Sequence, residues 1–369
     1  METCSHDLCH QALQLTSMPH VTVCEVHKMI SSMTSAPMDY VPTSLVKACP
    51  AIFAELITYL ANLSFSEGCF PQQLKKAQVM PLLKREGLDK DTPANYRPIS
   101  NLNTVSKITE RLILVRFRQH LTSSPSVNSA QSAYRRHHST EMALLRTMDA
   151  VYRAADRGEA TLIVVLDISA ALDTIDHTIL LNRLNSFGAG GNVLSLISSY
   201  LAMRSQTVRV GSASLAPSDC SCGVPQGSVL GPILFTVYMS PIASVAYRHH
   251  MNQQQYTDDA HLYIAFTKQT AVSSIHNLQA CLIALQAWFA QNGLALNPDK
   301  TEVIQMSTIR RAKELHASIS QEQASNTRST KAARSNTQCR FHFRYANQER
   351  QQGVLLSHPG PATHSTIAN

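Results

Sequence analysis

The sequence predicts an α+β fold, and three observations support this prediction. Apolar residues recur at helical spacing in four stretches, at 42–62, 105–121, 141–157 and 272–292. The run 161–167 is continuously apolar and β-branched before its final carboxylate, which is typical of a strand buried on both faces. Two adjacent carboxylates, Asp258 and Asp259, lie between short runs with the character of strands. Helices and separate short strands are therefore expected in one chain.

Length and composition indicate a globular protein with a sizeable core. The chain has 369 residues, enough for one large domain or two smaller ones, and 44% of them are apolar. No run approaches the roughly 18 apolar residues that span a membrane, so no membrane partner is expected. The N-terminus lacks a basic segment followed by an apolar one, so no secretory signal is predicted. Nine scattered cysteines then favour reduced thiols and an intracellular location.

The positive charge is concentrated at the C-terminal end. The whole chain has 32 Lys and Arg against 25 Asp and Glu, a net charge of +7. Residues 307–369 hold nine Lys or Arg and three Asp or Glu, a net +6, which leaves +1 for residues 1–306. Because the body is nearly neutral, overall charge is poor support for a polynucleotide partner. Any such partner must be argued from particular residues.

The first third of the chain contains two predicted helices and a strand. Residues 1–34 have no clean period and are expected to be a poorly ordered lead-in. A helix is predicted over 42–62, followed by a short strand at 78–83. The next helix is expected over 105–121, with Thr104 or Ser106 as its N-cap.

The middle of the chain places a carboxylate at the end of a buried strand. A helix over 141–157 ends at Gly158, and the strand 161–167 ends in Asp167. A charge in this position is costly unless it faces a cleft or a metal ion. The alternative is an aspartate that only caps the following turn, and the residues leave both readings open. Asp176 is expected to cap a helix that runs to Phe187.

A glycine-containing loop at 223–228 follows two predicted strands, at 206–210 and 213–215. It opens an apolar helix that is predicted over 229–247. Exposed backbone amides in such a loop suit phosphate or base contact. An ordinary turn between strand and helix is the alternative.

The adjacent pair Asp258 and Asp259 requires compensation if it faces a cleft. Two anions about 4 Å apart repel by roughly 4 kcal/mol at an effective dielectric constant near 20. A divalent cation that handles phosphate would relieve this repulsion. The alternative is a solvated turn, because turns are rich in aspartate. Beyond Met306 polar residues dominate, and the tail 307–369 is expected to be disordered and basic.

Five motifs stand in an informative order along the chain. They are YRPIS (96–100), LDISAALD (166–173), GVPQGS (223–228), YTDD (256–259) and LNPDKTE (296–302). The series closely resembles the reverse transcriptase of non-LTR (LINE-type) retrotransposons, and it is most similar to the jockey-like elements. The resemblance covers about residues 35–306.

The resemblance implies a right-hand polymerase fold of fingers, palm and thumb. The palm of this family is an antiparallel sheet with helices packed on it, and we expect residues 35–306 to form the fingers and palm. The thumb that would follow position 302 is expected to be absent or degenerate, with the tail 307–369 in its place. An N-terminal endonuclease domain is also expected to be absent, as in a truncated copy of a mobile element.

The resemblance further implies that Asp167, Asp258 and Asp259 meet on the palm as catalytic residues and ligands of two Mg²⁺ ions. Two such ions about 4 Å apart can clamp the attacking 3′-hydroxyl and the triphosphate. Since adjacent strand residues point to opposite faces, Asp167 and Asp258 are expected to be the principal ligands and Asp259 less direct. The implied partners are an RNA template, a DNA primer and deoxynucleoside triphosphates.

Six further residues match positions of the family's nucleotide site: Lys84, Arg97, Leu172, Gln226, Gly227 and Lys300. The two basic residues at 84 and 97 match finger positions that grip the triphosphate. Those at 226 and 227 match the loop against nucleotide and template, and the lysine at 300 matches a proton donor to pyrophosphate. Ordinary surface salt bridging is the alternative for these residues.

Position 172 departs from the family pattern in a way that affects sugar selection. The family usually has phenylalanine there, where the ring blocks a ribose 2′-hydroxyl, and this chain has Leu172. We therefore expect weaker discrimination against ribonucleotides, because apolar pockets reject an added hydroxyl poorly. Position 257, commonly alanine, is Thr257 and adds mild bulk near the expected metal site.

Three functions are compatible with these observations. The first is an RNA-directed DNA polymerase domain, for which the family's target-primed integration implies a nuclear destination. The second is an inactive, truncated remnant that at most binds nucleic acid. The third is a small-molecule phosphohydrolase, which would explain the three acids but not Arg97 or the Gln226 loop.

Overall fold

The computed structural model describes residues 14–33, 41–123, 128, 130–133, 138–257, 259–297, 300–307 and 342–347. The helices are α1 (Val23–Ser32), α2 (Thr43–Ala48), α3 (Pro50–Glu67), α4 (Thr104–Ser123), α5 (Thr140–Asp156), α6 (His177–Ser186), α7 (Gly191–Leu201), α8 (Gly231–Met239), α9 (Ile242–Arg248) and α10 (Ala271–Gln291). The strands are β1 (Lys76–Leu83), β2 (Tyr96–Asn101), β3 (Ala160–Leu166), β4 (Ile168–Ser169), β5 (Arg204–Val210), β6 (Ala213–Ser214), β7 (Ser218–Cys220), β8 (Asn252–Tyr256), β9 (Asp259–Phe266), β10 (Ala295–Leu296), β11 (Glu302–Ser307) and β12 (His342–Asn347). Helices and strands thus form the α+β mixture that the sequence predicted.

Two larger sheets organise these elements. The first runs in the order β2-β1-β5-β6, and β7 also pairs with β5. It is a mixed sheet, because β1 pairs antiparallel with β2 and parallel with β5. The second runs in the order β12-β11-β3-β9-β8. The short strands β4 and β10 pair with each other. In the chain, β4 follows β3 and β10 precedes β11.

The second sheet is antiparallel across β11, β3, β9 and β8. Strand β12 extends it in parallel with β11, so the expectation of a wholly antiparallel sheet is wrong at this edge. A further strand satisfies the backbone groups that an edge strand leaves unpaired. Six residues of the tail 307–369 therefore lie in a strand where disorder was expected, and its residues 308–341 and 348–369 lie outside the described residues.

Strand β3 is apolar except for the buried Thr161, because the second sheet has helices on both faces. Ala260, Leu262 and Phe266 of β9 are buried in the main core together with Leu285 and Phe289 of α10. Helix α5 contacts β3, β8 and β9, and it lies on the opposite face. A strand covered on both sides has no exposed face for polar residues, which explains the run of apolar residues in β3.

Side-chain caps stand at the start of helices α1, α4, α5 and α6. The Asp176 side chain accepts a hydrogen bond from the Ile179 amide at 2.8 Å, which confirms the predicted cap of α6. The start of α4 differs from the prediction of Thr104 or Ser106. There the Asn103 side chain accepts from the Ser106 amide at 2.6 Å, because an N-cap accepts from the third residue after itself.

The apolar stretch 229–247 forms two helices where one was predicted. Helix α8 ends at Met239 and α9 begins at Ile242, with Pro241 between them. Proline has no backbone N–H and its ring clashes with the preceding turn, so a continuous helix is unfavourable there. The change of direction carries Val245 and Ala246 into the core beside β8.

Part of the predicted lead-in is a packed helix. Thr22 caps α1, and Val26 and Ile30 are buried against α3. The Arg116 guanidinium binds the Glu25 carboxylate at 2.9 Å and fixes α1 to α4. The expectation of poor order over 1–34 is therefore wrong for residues 23–32, whereas residues 1–13 lie outside the described residues. Within the described ranges, no helix has the length and apolar character required to cross a bilayer.

Candidate active site

Asp167 follows directly on the last residue of β3. Its side chain is 30% exposed, so the carboxylate reaches solvent at the end of a buried strand. Its carbonyl accepts a hydrogen bond from the Asn297 amide at 2.9 Å. The Lys300 Nζ lies 3.4 Å from the Asp167 Oδ2. The structure thus brings together two predicted site residues that are far apart in sequence.

The hairpin of β8 and β9 carries Asp259 to the same end of the sheet. The last β3–β9 pair is Leu166 with Ala260, so Asp167 and Asp259 each lie one residue beyond it. Both residues therefore lie at the same end of the sheet. Asp258, the third acid, lies outside the described residues.

The connection between β8 and β9 is tighter than the sequence indicated. Tyr256 of β8 pairs directly with Asp259 of β9, so only positions 257 and 258 connect the strands. Thr257 has φ of 57°, in the left-handed region that such tight turns use. The alternation of strand side chains, from which Asp258 was ranked above Asp259, therefore does not extend to position 258.

A short segment at 130–133 supports β8 from its outer edge. The Ser132 amide donates to the Gln255 carbonyl and the Gln255 amide donates to the Ala130 carbonyl, each at 2.9 Å. The Gln254 side chain donates to the Ser132 hydroxyl at 2.8 Å. Gln254 and Gln255 are both buried, which is unusual for glutamine and follows from these bonds. This contact was not predicted, although three consecutive glutamines in a strand indicate that polar side chains there need hydrogen-bond partners.

Helix α5 covers the sheet face that carries Asp259, His261 and Tyr263. A small cavity between the helix and this face is lined by Thr140, Ala143, Leu144, Gln254, Tyr256, Asp259 and His261. Burial lowers the pKa of His261, so its imidazole is neutral at pH 7. Burial also raises the pKa of Tyr263. Strand β9 therefore places no positively charged side chain beside Asp259 on this face.

The glycine-containing loop is bonded to the segment that follows Asp167. The Val224 amide donates to the Leu172 carbonyl, and the Gly223 amide donates to the Ile175 carbonyl, each at 2.8 Å. Gly223 has φ of +79°, and a Cβ added there would lie 2.6 Å from the Asp173 carbonyl oxygen. The close approach explains why glycine occupies this position. Leu172 is half-buried against the core beside the loop.

The same loop is bonded on its other side to β2. The Ser100 amide donates to the Gln226 carbonyl at 2.7 Å. Gly227 has φ of +112°, and a Cβ there would lie 2.8 Å from the Ser100 carbonyl oxygen. Gln226 and Gly227 are therefore held between β2 and the chain that leaves β3. Together with Leu172, they bring three of the predicted residues into one region.

Lys84 and Arg97 lie on the β1–β2 hairpin and are exposed. Arg97 pairs with Leu82 of β1. The Lys84 Nζ donates to the Ala94 carbonyl at 2.7 Å. Among the described residues, neither side chain contacts Asp167 or Asp259, so the structure does not bring these two residues to the acids.

A cavity of about 350 Å³ separates the first sheet from the loop. Val79, Pro98 and Gln206 of the sheet line one wall, and Asp173 and Gln226 line the other. Burial in this wall raises the pKa of the Asp173 carboxyl. Within the described residues, no three His, Cys, Asp or Glu side chains form a group that could hold a metal ion.

The chain matches the family model described as "Reverse transcriptase (RNA-dependent DNA polymerase)" over residues 84–341. It belongs to this reverse transcriptase family. The match includes every predicted site residue, from Lys84 to Lys300. Membership agrees with the resemblance to non-LTR elements that the five motifs indicated.

Three curated relatives come from Drosophila melanogaster. The probable RNA-directed DNA polymerase from transposon BS is 28% identical over 284 residues, which are 76% of this chain and 31% of that protein. The corresponding protein of the transposon X-element is 33% identical over 239 residues, 63% of this chain and 26% of that protein. The RNA-directed DNA polymerase from mobile element jockey is 27% identical over 289 residues, 76% of this chain and 31% of that protein.

The matched part of this chain spans less than a third of the length of these relatives. Among solved structures, apo telomerase from Candida tropicalis, truncated from its C-terminal domain, is similar with a TM-score of 0.46 and 12% identity. That likeness covers 63% of this chain and 51% of the telomerase chain.

Proposed function

We propose that this reverse transcriptase chain is an RNA-directed DNA polymerase domain that transfers deoxynucleotides to a primer 3′-hydroxyl. The observation that carries the proposal is the register of β3 and β9, whose last pair, Leu166 with Ala260, is adjacent in sequence to Asp167 on one strand and Asp259 on the other. Lys300, 3.4 Å from Asp167, adds a cation at the same end of the sheet. The partners are an RNA template, a DNA primer and deoxynucleoside triphosphates.

The proposed architecture follows from the two sheets. Strands β8, β9, β3 and β11 form the palm, and the β1–β2 hairpin belongs to the fingers. Residues 35–306 form the polymerase unit. The contact between Ser100 and Gln226 supports this arrangement, because it joins the finger hairpin to the loop beside the palm.

The acidic residues fit a divalent cation. Carboxylate oxygens are the ligands that Mg²⁺ prefers, and Asp167, Asp258 and Asp259 would hold two such ions. When bound, the ions lower the pKa of the primer hydroxyl and neutralise charge on the triphosphate. Lys300 offsets part of the Asp167 charge and would protonate the departing pyrophosphate.

The remaining predicted residues would bind and orient the nucleotide. Gln226 and Gly227 present the loop to the nucleotide and the template, and Leu172 lies where the ribose would stand. Lys84 and Arg97 would grip the triphosphate as a point charge and a forked donor, respectively. Both side chains are exposed on the β1–β2 hairpin.

Primer extension on poly-rA with an oligo-dT primer and Mg²⁺ tests the proposal. The purified chain and its Asp167→Asn variant are compared with Asp156→Asn, an exposed acid at the end of α5 that serves as a matched control. We expect extension by the wild type and the control and none by Asp167→Asn. Asp258→Asn should also abolish incorporation, and Asp259→Asn should leave a trace.

Two outcomes would overturn the proposal. Retention of the primer–template without extension by the wild type would indicate a remnant that only binds nucleic acid. Release of phosphate from nucleotides without a template would indicate a phosphohydrolase. Full extension by Asp167→Asn would remove the catalytic assignment of that residue.

A further inference from the structure

Glu110 is a carboxylate sealed inside the protein. It lies in the first half of α4 and its side chain is 0% exposed. Glutamate is almost never fully buried unless it is paired, because desolvation of the charge is costly. Its position outside the five motifs gives it no role in the site described so far, so its burial requires a separate explanation.

Four donors surround the Glu110 carboxylate. The Ser106 hydroxyl donates to Oε1 at 3.1 Å, and the Tyr200 hydroxyl donates to Oε2 at 3.3 Å. The backbone amides of Val229 and Leu230 donate to the same Oε2 at 2.7 and 3.1 Å. A carboxylate that accepts from every side is suited to the ionised form, because only that form has no proton of its own to place.

A second buried charge favours the ionised form. The Arg204 guanidinium is 2% exposed and lies over the Tyr200 ring, 4.7 Å from its centroid. It also donates to the Tyr200 carbonyl at 3.0 Å. Burial is the largest effect and raises the pKa of Glu110, while the Arg204 charge and the two amides act in the opposite direction. Tyr200 thus lies between the Glu110 carboxyl and the Arg204 guanidinium.

The two amides belong to the start of α8, which has no cap of its own at Leu230. The first amides of a helix lack intrahelical partners, and a negative charge is favourable near them. Ser228 satisfies one by accepting from the Gly231 amide at 3.0 Å. Glu110 satisfies the two that precede it, from a helix about 120 positions earlier in the chain. The start of α8 is therefore fixed by tertiary contacts.

The loop with Gln226 and Gly227 ends where Glu110 binds. Ser100 of β2 holds the loop at the Gln226 carbonyl, and Glu110 of α4 holds it at Val229 and Leu230. Strand β2 and helix α4 are consecutive, so one unit of the chain grips the loop at two points only three residues apart.

We propose that Glu110 is a positioning residue of the polymerase site, whose buried carboxylate fixes the loop so that Gln226 and Gly227 stand against the nucleotide and template. The role rests on the proposed function, since it acts through loop residues assigned there. Glu110 itself touches no substrate. Its loss should therefore weaken nucleotide binding more than the chemical step.

Amide hydrogen exchange in the absence of substrate tests the structural half of this proposal. Glu110→Gln keeps the size of the side chain and one acceptor oxygen, but it removes the negative charge that strengthens the hydrogen bonds from the two amides. We expect exchange at Val229 and Leu230 to accelerate by about tenfold to a hundredfold, while amides in β3 are unchanged. Tyr200→Phe, which leaves the carboxylate in place, should give a smaller acceleration at the same amides.

Steady-state primer extension tests the functional half. We expect Glu110→Gln to raise KM for the nucleotide by about tenfold or more and to change kcat less. Glu110→Asp, which restores the charge on a shorter side chain, should recover part of the loss. If Glu110→Gln does not fold, Glu110→Asp is compared with the wild type by both measurements.

Unchanged amide exchange at Val229 and Leu230 in Glu110→Gln would overturn the proposal. So would a rise in KM matched by an equal fall in kcat, with no recovery of either in Glu110→Asp. Failure of the proposed function itself is distinguishable. In that case the wild type does not extend primers, while the exchange experiment still reports whether Glu110 holds the loop.

Discussion

Replacement of Gly223 by alanine should disrupt the junction between the loop and the chain that follows Asp167. A Cβ at Gly223 would lie 2.6 Å from the Asp173 carbonyl oxygen and 2.9 Å from its carbonyl carbon. Both are backbone atoms, so the strain cannot be relieved by turning a flexible side chain. The loop must move, and the 2.8 Å bonds from Gly223 to Ile175 and from Val224 to Leu172 are then weakened.

The expected loss of folding stability in Gly223→Ala has two parts, and a matched control variant separates them. An L-residue in the left-handed region costs about 1–2 kcal/mol. Loss of two backbone hydrogen bonds adds roughly 0.5–1.5 kcal/mol each. Gly87 has φ of +83°, close to the +79° of Gly223, but a Cβ there would have no atom within 4 Å. Gly87→Ala therefore incurs the first cost without the second.

Urea unfolding of the two variants beside the wild type measures this difference. We expect Gly223→Ala to be less stable than Gly87→Ala by roughly 1–3 kcal/mol. Primer extension should fall in Gly223→Ala and remain near the wild-type rate in Gly87→Ala. Equal unfolding midpoints for the two variants would refute the contact between Gly223 and Asp173 on which the description of the loop depends.

Three further predictions concern sugar selection, the cation beside Asp167 and the helix α1. Leu172→Phe should reduce incorporation of ribonucleotides relative to deoxynucleotides, and equal ribonucleotide use by both proteins would contradict the assignment of this position. Lys300→Met should lower the Mg²⁺ concentration for half-maximal binding, by at most about fivefold, because the pair with Asp167 is partly exposed and such pairs contribute about 0–1 kcal/mol. Calorimetric titration with Mg²⁺ checks this, and weaker Mg²⁺ binding in the variant would contradict it. The Arg116 guanidinium lowers the pKa of Glu25, so this pair stabilises the fold above the usual glutamate pKa of about 4.3 and the contribution is lost as pH falls through the lower folded value. Glu25→Gln should therefore destabilise the fold more at pH 7 than at pH 3, as urea unfolding at both pH values would show.

Elements governed by local signals were predictable from the sequence. The apolar run of β3 and the Asp176 cap of α6 both depend on residues within a few positions of each other. The turn between β8 and β9 followed from an acidic pair between two strand-like runs. These features need no knowledge of distant contacts, because burial on both faces and side-chain capping are recorded directly in the residue types.

Other elements depended on contacts that no local pattern reveals. Helix α7 was not predicted: Gly188 and Gly190 precede it, Gly191 is its first residue, and glycine disfavours a helix. Its buried Tyr200 packs edge-on against Phe70 from a remote part of the chain. Such tertiary packing overrides a weak local propensity.

The site was predictable to a similar extent. Family motifs indicated Asp167 and Lys300, and the fold brings them to 3.4 Å. Glu110 was missed, because a glutamate on a helix normally lies in solvent. Its role is visible only in the folded structure, where it binds the amides of Val229 and Leu230, about 120 positions later in the chain.

Convergence of Asp167 and the hairpin acids on a shared cation is tested most directly by locating Mn²⁺, in place of Mg²⁺, by anomalous scattering in crystals of the protein with primer–template. We expect a peak at coordination distance, about 2.0–2.6 Å, from the Asp167 carboxylate and from a carboxylate of the β8–β9 hairpin. A peak elsewhere, with Asp167 bound only by Lys300, would contradict the account.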